Sequence, residues 1–183
     1  MESKKSKNIT VSQFDKEGYI TIRKNINEFL KKCAEIYDHN GLMVLDIAPQ
    51  VHEKAKSYFK KAKVETLDID PNSGAVYIAD ITKCNNFLHA EMFDIVVCTE
   101  VLEHTLNPFS AVKEIHRLLK PLGVLVLTVP FNFRIHGPLP DCWRFTEYGL
   151  RELLKKFSNI KIESINTIDR DLMPIHYTII AIK

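Results

Sequence analysis

The sequence predicts an α/β fold with a seven-stranded, mostly parallel sheet, helices on both faces and an antiparallel last strand. Short apolar runs of strand length alternate with segments of helical periodicity, which is typical of parallel strands joined by helices. The last two strand-like segments, 160–165 and 176–182, have no helical pattern between them. Because a parallel crossover needs a dozen or more connecting residues, these two strands are predicted to pair antiparallel.

The elements follow one another in a regular order. Apolar residues at helical spacing predict a first helix over 22–37. Five strand-length apolar runs occupy the middle of the chain: 42–47, 64–69, 76–80, 93–98 and 124–129. A short helical patch over 53–62 separates the first two runs, and Asn107-Pro108 begins a helix that extends to residue 119. Thr146 caps a last helix that is predicted to end at Phe157.

Composition and charge restrict the class of protein. A length of 183 residues predicts one domain over 1–183, with 1–10 as a flexible, lysine-containing tail rather than a targeting signal. A formal net charge of +2 argues against a nucleic-acid partner, and no apolar run approaches the ~20 residues of a membrane helix. The four cysteines form no CxxC pair, which favours reduced thiols. We therefore expect a cytoplasmic protein without membrane contact.

Polar side chains follow the first four predicted strands. Asp46, Asp68 and Asp80 end the first three strands, and Thr99-Glu100 ends the fourth. Ligands of open parallel sheets bind beyond the carboxyl ends of the strands, and a carboxylate after the second strand can accept both hydrogen bonds of a ribose diol. Each aspartate alone is equally compatible with a turn cap. Their recurrence at successive strand ends favours a nucleoside-type ligand.

The chain resembles class I S-adenosylmethionine-dependent methyltransferases, most closely the type 11 group. Five segments match that group's motifs in order and spacing: 44–47, 66–71, 78–81, 93–104 and 118–123. The resemblance implies a Rossmann-like domain, a transferase activity and S-adenosylmethionine as the cofactor.

The resemblance also implies a role for each matching position. The implied cofactor-binding residues are Asp46, Ile47 and Ala48 near the methionine end, Asp68 and Ile69 at the ribose, Asp80 and Ile81 at the adenine, and Thr99 and Glu100 near the sulfonium. The implied reaction is methyl transfer to an oxygen or nitrogen of a small molecule or glycan precursor.

One segment departs from the family pattern. The first strand of the family runs into a Gly-x-Gly loop, whereas this chain has Ala48-Pro49-Gln50. Ala48 is small enough for the position if its φ angle is negative, but Pro49 lacks an N–H donor and Gln50 adds a side chain. This departure motivates an alternative function, a non-catalytic binding module on the same fold. A nicotinamide-dependent oxidoreductase is disfavoured because no G-x-G-x-x-G sequence follows the first strand.

Residues 130–146 resemble the acceptor-side loop of methyltransferases that act in sugar and glycan pathways. His136 is a candidate general base and His104 an alternative one, since imidazole titrates near neutral pH. Trp143 is a candidate for stacking on the acceptor and Arg144 for holding an anionic group. The alternative is that Trp143 packs in the core and Arg144 pairs with Asp141.

Other histidines and metal ligands give no comparable pattern. His52, His89, His116 and His176 have no partner in the sequence and are interpreted as incidental. No set of His, Asp and Glu residues has a convincing metal spacing, so no metal is expected; Glu103 and His104 near Asp80 are the remaining candidates. The oligomeric state is left open.

Overall fold

The structure, a computed structural model, describes residues 10–49 and 55–183. Its helices and strands are α1 (Gln13–Tyr37), β1 (Met43–Ile47), β2 (Lys63–Asp68), β3 (Tyr77–Ile78), β4 (Phe93–Thr99), α2 (Pro108–Leu118), β5 (Leu119–Pro130), α3 (Glu147–Leu153), β6 (Ser158–Thr167) and β7 (Arg170–Ile182). The strands form one sheet in the order β3-β2-β1-β4-β5-β7-β6. Neighbours from β3 to β5 pair parallel, and β7 pairs antiparallel with β5 and β6. The predicted sheet, including the antiparallel last strand, is confirmed.

Several boundaries differ from the prediction. Helix α1 begins nine residues earlier than the predicted start at residue 22, because Ser12 caps it by accepting a hydrogen bond from the Asp15 amide. Strand β3 is an edge strand with only two paired residues, and α3 ends at Leu153. Of the patch predicted at 53–62, the described part holds a single 3₁₀ turn, Ala55–Ser57. Gln50 and residues 1–9 lie outside the described residues.

The sheet has a helical layer on each face, because successive strand residues point to opposite sides. Leu45 of β1 faces α2, where it shares a core with Ile115 and Leu118. Its neighbour Val44 faces α1 and shares the second core with Ile26 and Leu30. The prediction of helices on both faces is confirmed.

Strand order places a crevice between β1 and β4. After β1 the chain moves to β2 on one side, and β4 returns to pair with β1 on the other side. Asp46 lies opposite Val97 and Ile47 opposite Cys98, so the carboxyl ends of β1 and β4 are adjacent. Such a reversal in strand order is where open α/β sheets bind ligands.

An ion pair on α2 fixes the loop that follows β3. Buried Glu114 accepts a hydrogen bond from the Asn85 amide (2.9 Å) and two from Arg117 (2.7 and 2.8 Å). Arg117 also donates to the Leu88 carbonyl (3.0 Å). Burial raises the pKa of Glu114, but the donors from Arg117 and Asn85 outweigh this effect, so the pKa lies below its ordinary value.

This pair is expected to make stability depend on pH. A carboxyl whose pKa is lowered only in the folded protein contributes stability above its unfolded pKa, and that contribution is lost as the pH falls through the folded pKa. Urea unfolding from about pH 7 to about pH 3 is therefore expected to show a falling free energy, most steeply below about pH 5. The Glu114→Gln variant is expected to lose less over this range. A constant difference between the two proteins at every pH would contradict the assignment.

Candidate active site

Two adjoining cavities occupy the crevice at the carboxyl ends of β1, β2 and β4. The first has a volume of about 110 Å³ and extends toward α1, and we call it the α1-side cavity. The second has a volume of about 260 Å³ and extends over the end of β2, and we call it the β2-side cavity. Both cavities are lined by Ala48, Glu100, His104 and Pro138, so they lie side by side.

The β2-side cavity is an apolar slot with a carboxylate at its edge. Ile47, Ile69 and Ile81, three positions that the family resemblance implies, contribute apolar walls. Asp68 lines the same cavity and is only 6% exposed. Its Oδ1 accepts a hydrogen bond from the Asp70 amide (2.9 Å), while Oδ2 accepts none from the described residues. The slot therefore combines flat apolar surface with an available acceptor.

Asp80 is placed differently from the other aspartates, because it lines neither cavity. Its Oδ1 accepts hydrogen bonds from the amide and hydroxyl of Thr82 (2.9 and 2.7 Å), and Lys83 lies 3.7 Å from Oδ2. This is the turn-capping arrangement considered as the alternative for each aspartate. Asp80 therefore shapes the turn that brings Ile81 to the cavity wall.

Most of the remaining predicted site residues line the α1-side cavity. Asp46, Ala48, Thr99 and Glu100 form its floor at the ends of β1 and β4. Asp46 is 2% exposed, and its Oδ2 accepts a hydrogen bond from the Ala55 amide (2.8 Å).

Helix α1 supplies a wall of this cavity that sequence reasoning missed. Tyr19 and Arg23 line the same cavity as Asp46, so a cation and a carboxylate border one space. The available signal was the Ser12-x-x-Asp15 capping pattern, which would have extended the helix to include Tyr19.

Ala48 adopts the backbone conformation for which the family uses glycine. Its φ angle is +48°, so the expectation of a negative φ is wrong. The left-handed region brings Cβ close to the following carbonyl oxygen and costs roughly 1–2 kcal/mol for a residue other than glycine. The Ala48 amide donates to the Leu67 carbonyl (2.7 Å), which ties this turn to β2. The turn that glycine permits in the family is therefore formed here by alanine under strain.

Replacing Ala48 by glycine is expected to stabilise the protein by about 0.5–1 kcal/mol, since relief of strain exceeds the entropy gained by the unfolded chain. Urea unfolding at neutral pH measures the change. Ala75→Gly, in the loop before β3 and outside both cavities, is a control for the general effect of added glycine. A destabilised Ala48→Gly protein would show that the positive φ angle carries no strain.

Glu100 is held by side chains from two distant strands, β5 and β7. It lies at the end of β4 with a φ angle of +54°. Its Oε1 accepts hydrogen bonds from the Thr128 hydroxyl (2.9 Å) and from His176 Nε2 (2.8 Å). The amide of Asn25 on α1 lies 2.8 Å from His176 Nδ1, so Nδ1 accepts and Nε2 carries the proton. The interpretation of His176 as incidental is therefore wrong: it is fully buried and connects α1 to the cavity.

Glu100 and Glu103 have opposite pKa shifts although they lie only three residues apart in the sequence. Burial raises the pKa of Glu100, but nearby His176 and the hydrogen bonds from His176 and Thr128 lower it below the ordinary value. Burial and the neighbouring Glu100 raise the pKa of Glu103 well above the ordinary value. We therefore assign the charge of this pair to Glu100 and the proton to Glu103.

The acceptor-side loop brings His136 to the α1-side cavity, together with Phe133, Gly137 and Pro138. The Asp141 carboxylate fixes His136: Oδ2 accepts from the His136 amide (2.9 Å) and lies 3.0 Å from Nδ1. Burial raises the pKa of Asp141, but Arg144 and His136 outweigh it and lower the pKa to about 2. His104 lies beside His136, with ring centroids 4.8 Å apart.

The two residues predicted to contact the acceptor are engaged in holding this loop. Arg144 donates to both carboxylate oxygens of Asp141 (2.6 and 2.8 Å) and to the Arg134 carbonyl (3.0 Å). Trp143 donates from Nε1 to the Thr105 carbonyl (2.8 Å). Neither lines the two cavities, and the alternative contact between Arg144 and Asp141 is present. In this structure Arg144 acts on His136 through Asp141, whereas Trp143 ties the loop to Thr105.

Comparison with known proteins agrees with this geometry. The family described as a methyltransferase domain matches residues 24–127. A ubiquinone biosynthesis O-methyltransferase of Histophilus somni is 32% identical over 95 residues, which cover 51% of this chain and 36% of that protein. The chain therefore spans about a third of this curated relative.

Solved structures share the fold. A SAM-dependent methyltransferase of Archaeoglobus fulgidus superposes with a TM-score of 0.66 at 17% identity, over 88% of this chain and 94% of that one. The [4+2]-cyclase SpnF superposes with a TM-score of 0.68 at 13% identity, over 87% and 80% of the two chains.

The match over more than half of the chain settles the class of protein: this chain belongs to the methyltransferase-domain family. S-Adenosylmethionine is the cofactor that membership of this family indicates. No helix among the described residues is both long and apolar enough to cross a membrane.

Proposed function

We propose that this protein is an S-adenosylmethionine-dependent methyltransferase that acts on a hydroxyl group of a small molecule or glycan precursor. The observation that carries the proposal is the pair of adjoining cavities at the carboxyl ends of β1, β2 and β4, one lined by Asp68 and the other by His136. An oxygen acceptor is favoured over nitrogen because the matched relative is named an O-methyltransferase. The cytoplasmic location remains a prediction.

The chemistry of the walls fits the two halves of the cofactor. In the β2-side cavity, Asp68 Oδ2 is placed to accept hydrogen bonds from a ribose, and Ile69 and Ile81 offer apolar faces for an adenine. In the α1-side cavity, Arg23 suits the carboxylate of the methionine part and Asp46 its ammonium group. Ala48 and Glu100 belong to both cavities and lie where the two halves join.

The acceptor is assigned to the part of the α1-side cavity next to His136 and Thr99. Bound S-adenosylmethionine supplies a methyl group on a sulfonium, whose transfer breaks a C–S bond, forms a C–O bond and releases the hydroxyl proton. Asp141 and the Arg134 carbonyl face Nδ1 of His136 at 3.0 and 3.3 Å, so Nδ1 carries the proton and Nε2 can accept one. His104 lies next to His136 as the second acceptor-side imidazole.

Titration calorimetry with S-adenosylhomocysteine tests the proposal. One site per chain is expected, and a thermal-shift titration is expected to show a stability gain of about 2.7 kcal/mol at 100 times the dissociation constant. Absence of heat and of thermal stabilisation at millimolar ligand would overturn the assignment and favour the non-catalytic binding module. Binding without methyl transfer to any of a panel of phenols, catechols and sugars would support the same alternative.

A further inference from the structure

Glu103, His104 and His136 form a cluster that the cofactor does not require. Their ligand atoms lie within 4.8 Å of one another, although His136 is 32 residues from His104 in sequence. Nε2 of His104 lies 3.8 Å from Glu103 Oε1, and Nε2 of His136 lies 4.0 Å from the same oxygen. Sequence spacing could not reveal this cluster because the acceptor-side loop alone brings His136 to it.

The Glu103 carboxyl is buried without a hydrogen bond in the described part of the chain. Its side chain is 0% exposed, and neither oxygen has a hydrogen-bond partner there. Leaving a buried polar group unsatisfied costs about 1–3 kcal/mol, and more for a charged one. A group placed between Glu103 and the two imidazoles would remove that cost.

Both histidines are oriented in the way that metal-binding histidines are. His104 Nδ1 lies 3.0 Å from the Pro140 carbonyl oxygen, so Nδ1 carries the proton. His136 Nδ1 faces the carboxylate of Asp141. In each neutral ring the Nε2 lone pair is then left for a ligand, and an outer carboxylate or carbonyl on Nδ1 is the usual support of a metal-bound imidazole.

We propose that Glu103, His104 and His136 bind a divalent first-row transition ion of the Zn²⁺ type. Two imidazole nitrogens and one carboxylate oxygen form a ligand set that catalytic zinc sites use, with a fourth position open. Imidazole ligands favour such ions over Mg²⁺ or Ca²⁺. Zinc ligand atoms at 2.0–2.2 Å are about 3.4 Å apart in a tetrahedron, so atoms that now lie within 4.8 Å of one another need to close by about 1.4 Å or less.

The open position faces the α1-side cavity, which His104 and His136 line. An acceptor oxygen bound there would have its pKa lowered by the ion, and this role rests on the proposed methyl transfer. In the metal-bound form the two histidines hold the ion and the hydroxyl proton of the acceptor leaves to solvent water; proton transfer to His136 Nε2, given above, belongs to the metal-free form. The earlier expectation of no metal is revised on this geometry.

Titration of chelator-treated, desalted protein with ZnCl₂ tests the site without the cofactor. One Zn²⁺ per chain is expected, with no measurable heat for MgCl₂ at the same concentration. His136→Ala is expected to weaken Zn²⁺ binding by about 100-fold or more, since outer partners alone are worth 10–100-fold. His116→Ala, a histidine of α2 outside the cluster, is the matched control. Addition of CoCl₂ is expected to give a visible absorption band that His136→Ala removes.

Three results would overturn the proposal. The first is absence of Zn²⁺ binding at 100-fold molar excess. The second is undiminished binding by His136→Ala and by Glu103→Gln, with circular dichroism showing both folded. The third is binding that Cys142→Ser abolishes, because that thiol is exposed within the acceptor-side loop and would then be the ligand instead. Failure of S-adenosylhomocysteine to bind while Zn²⁺ binds would reject the proposed function and leave the metal site standing.

Discussion

Replacing Asp68 by alanine is expected to weaken S-adenosylhomocysteine binding by about 100-fold or more. Each hydrogen bond to a charged group is worth about 1.5–3 kcal/mol, and the carboxylate is placed to accept two from a ribose diol. The Asp68 side chain is nearly buried at the edge of the β2-side cavity. In the variant, water can therefore supply the lost hydrogen bonds to the ribose only poorly. Titration calorimetry of wild type and variant measures the change.

Two further variants isolate the ribose contact. Asp68→Asn keeps the acceptor for the Asp70 amide and is expected to lose about tenfold, since one neutral acceptor remains. Asp70→Ala removes a neighbouring carboxylate whose Oδ1 accepts from the Asn72 amide, and it is expected to bind the ligand as wild type does. Equal affinity of Asp68→Ala and wild type would refute the ribose assignment.

Replacing His176 by alanine is expected to destabilise the protein by about 3 kcal/mol, because removal of one partner leaves a buried carboxylate uncompensated. For a chain of this length, such a loss lowers the melting temperature by roughly 6–12 °C. Since Glu100 lines both cavities, we also expect weaker S-adenosylhomocysteine binding by this variant. Urea unfolding and calorimetry measure the two effects.

His116→Ala is the control for His176→Ala. His116 of α2 packs edge-on against Phe157, with ring centroids 5.0 Å apart, and forms no contact with Glu100. His116→Ala is expected to lose less stability and no ligand affinity. Asn25→Ala removes the amide beside His176 Nδ1. Its loss of stability is expected to lie between those of His176→Ala and His116→Ala. A stable His176→Ala protein with unchanged ligand affinity would show that Thr128 alone holds Glu100.

The order of elements and the sheet were predictable because their signals are local. Apolar runs of strand length, Asn107 before Pro108 and the short connection between β6 and β7 each specify an element or a pairing without distant contacts. Boundaries were less predictable where tertiary contacts decide them. Strand β3 is limited to two residues by its pairing with β2 at the sheet edge.

The site residues, too, were predictable only where their signals are local. Asp46, Asp68 and Glu100 were found because strand ends converge at one edge of a parallel sheet. The role of His176 could not be found, since it depends on contacts with Asn25 and Glu100, 151 and 76 residues away. Arg144 was assigned to the surface of the site because its charge suggested a ligand, whereas Asp141 already neutralises it.

The family match begins at residue 24, inside α1, whereas Tyr19 and Arg23, which line the α1-side cavity, lie in the part of α1 ahead of it. That part of the helix fits tightly: a β-carbon on Gly18 would lie 3.3 Å from Ile175 and 3.7 Å from Phe133. A fragment limited to the matched residues 24–127 would lose both side chains together with β6 and β7. We therefore expect selectivity for the charged end of a ligand to depend on residues that the family match does not include.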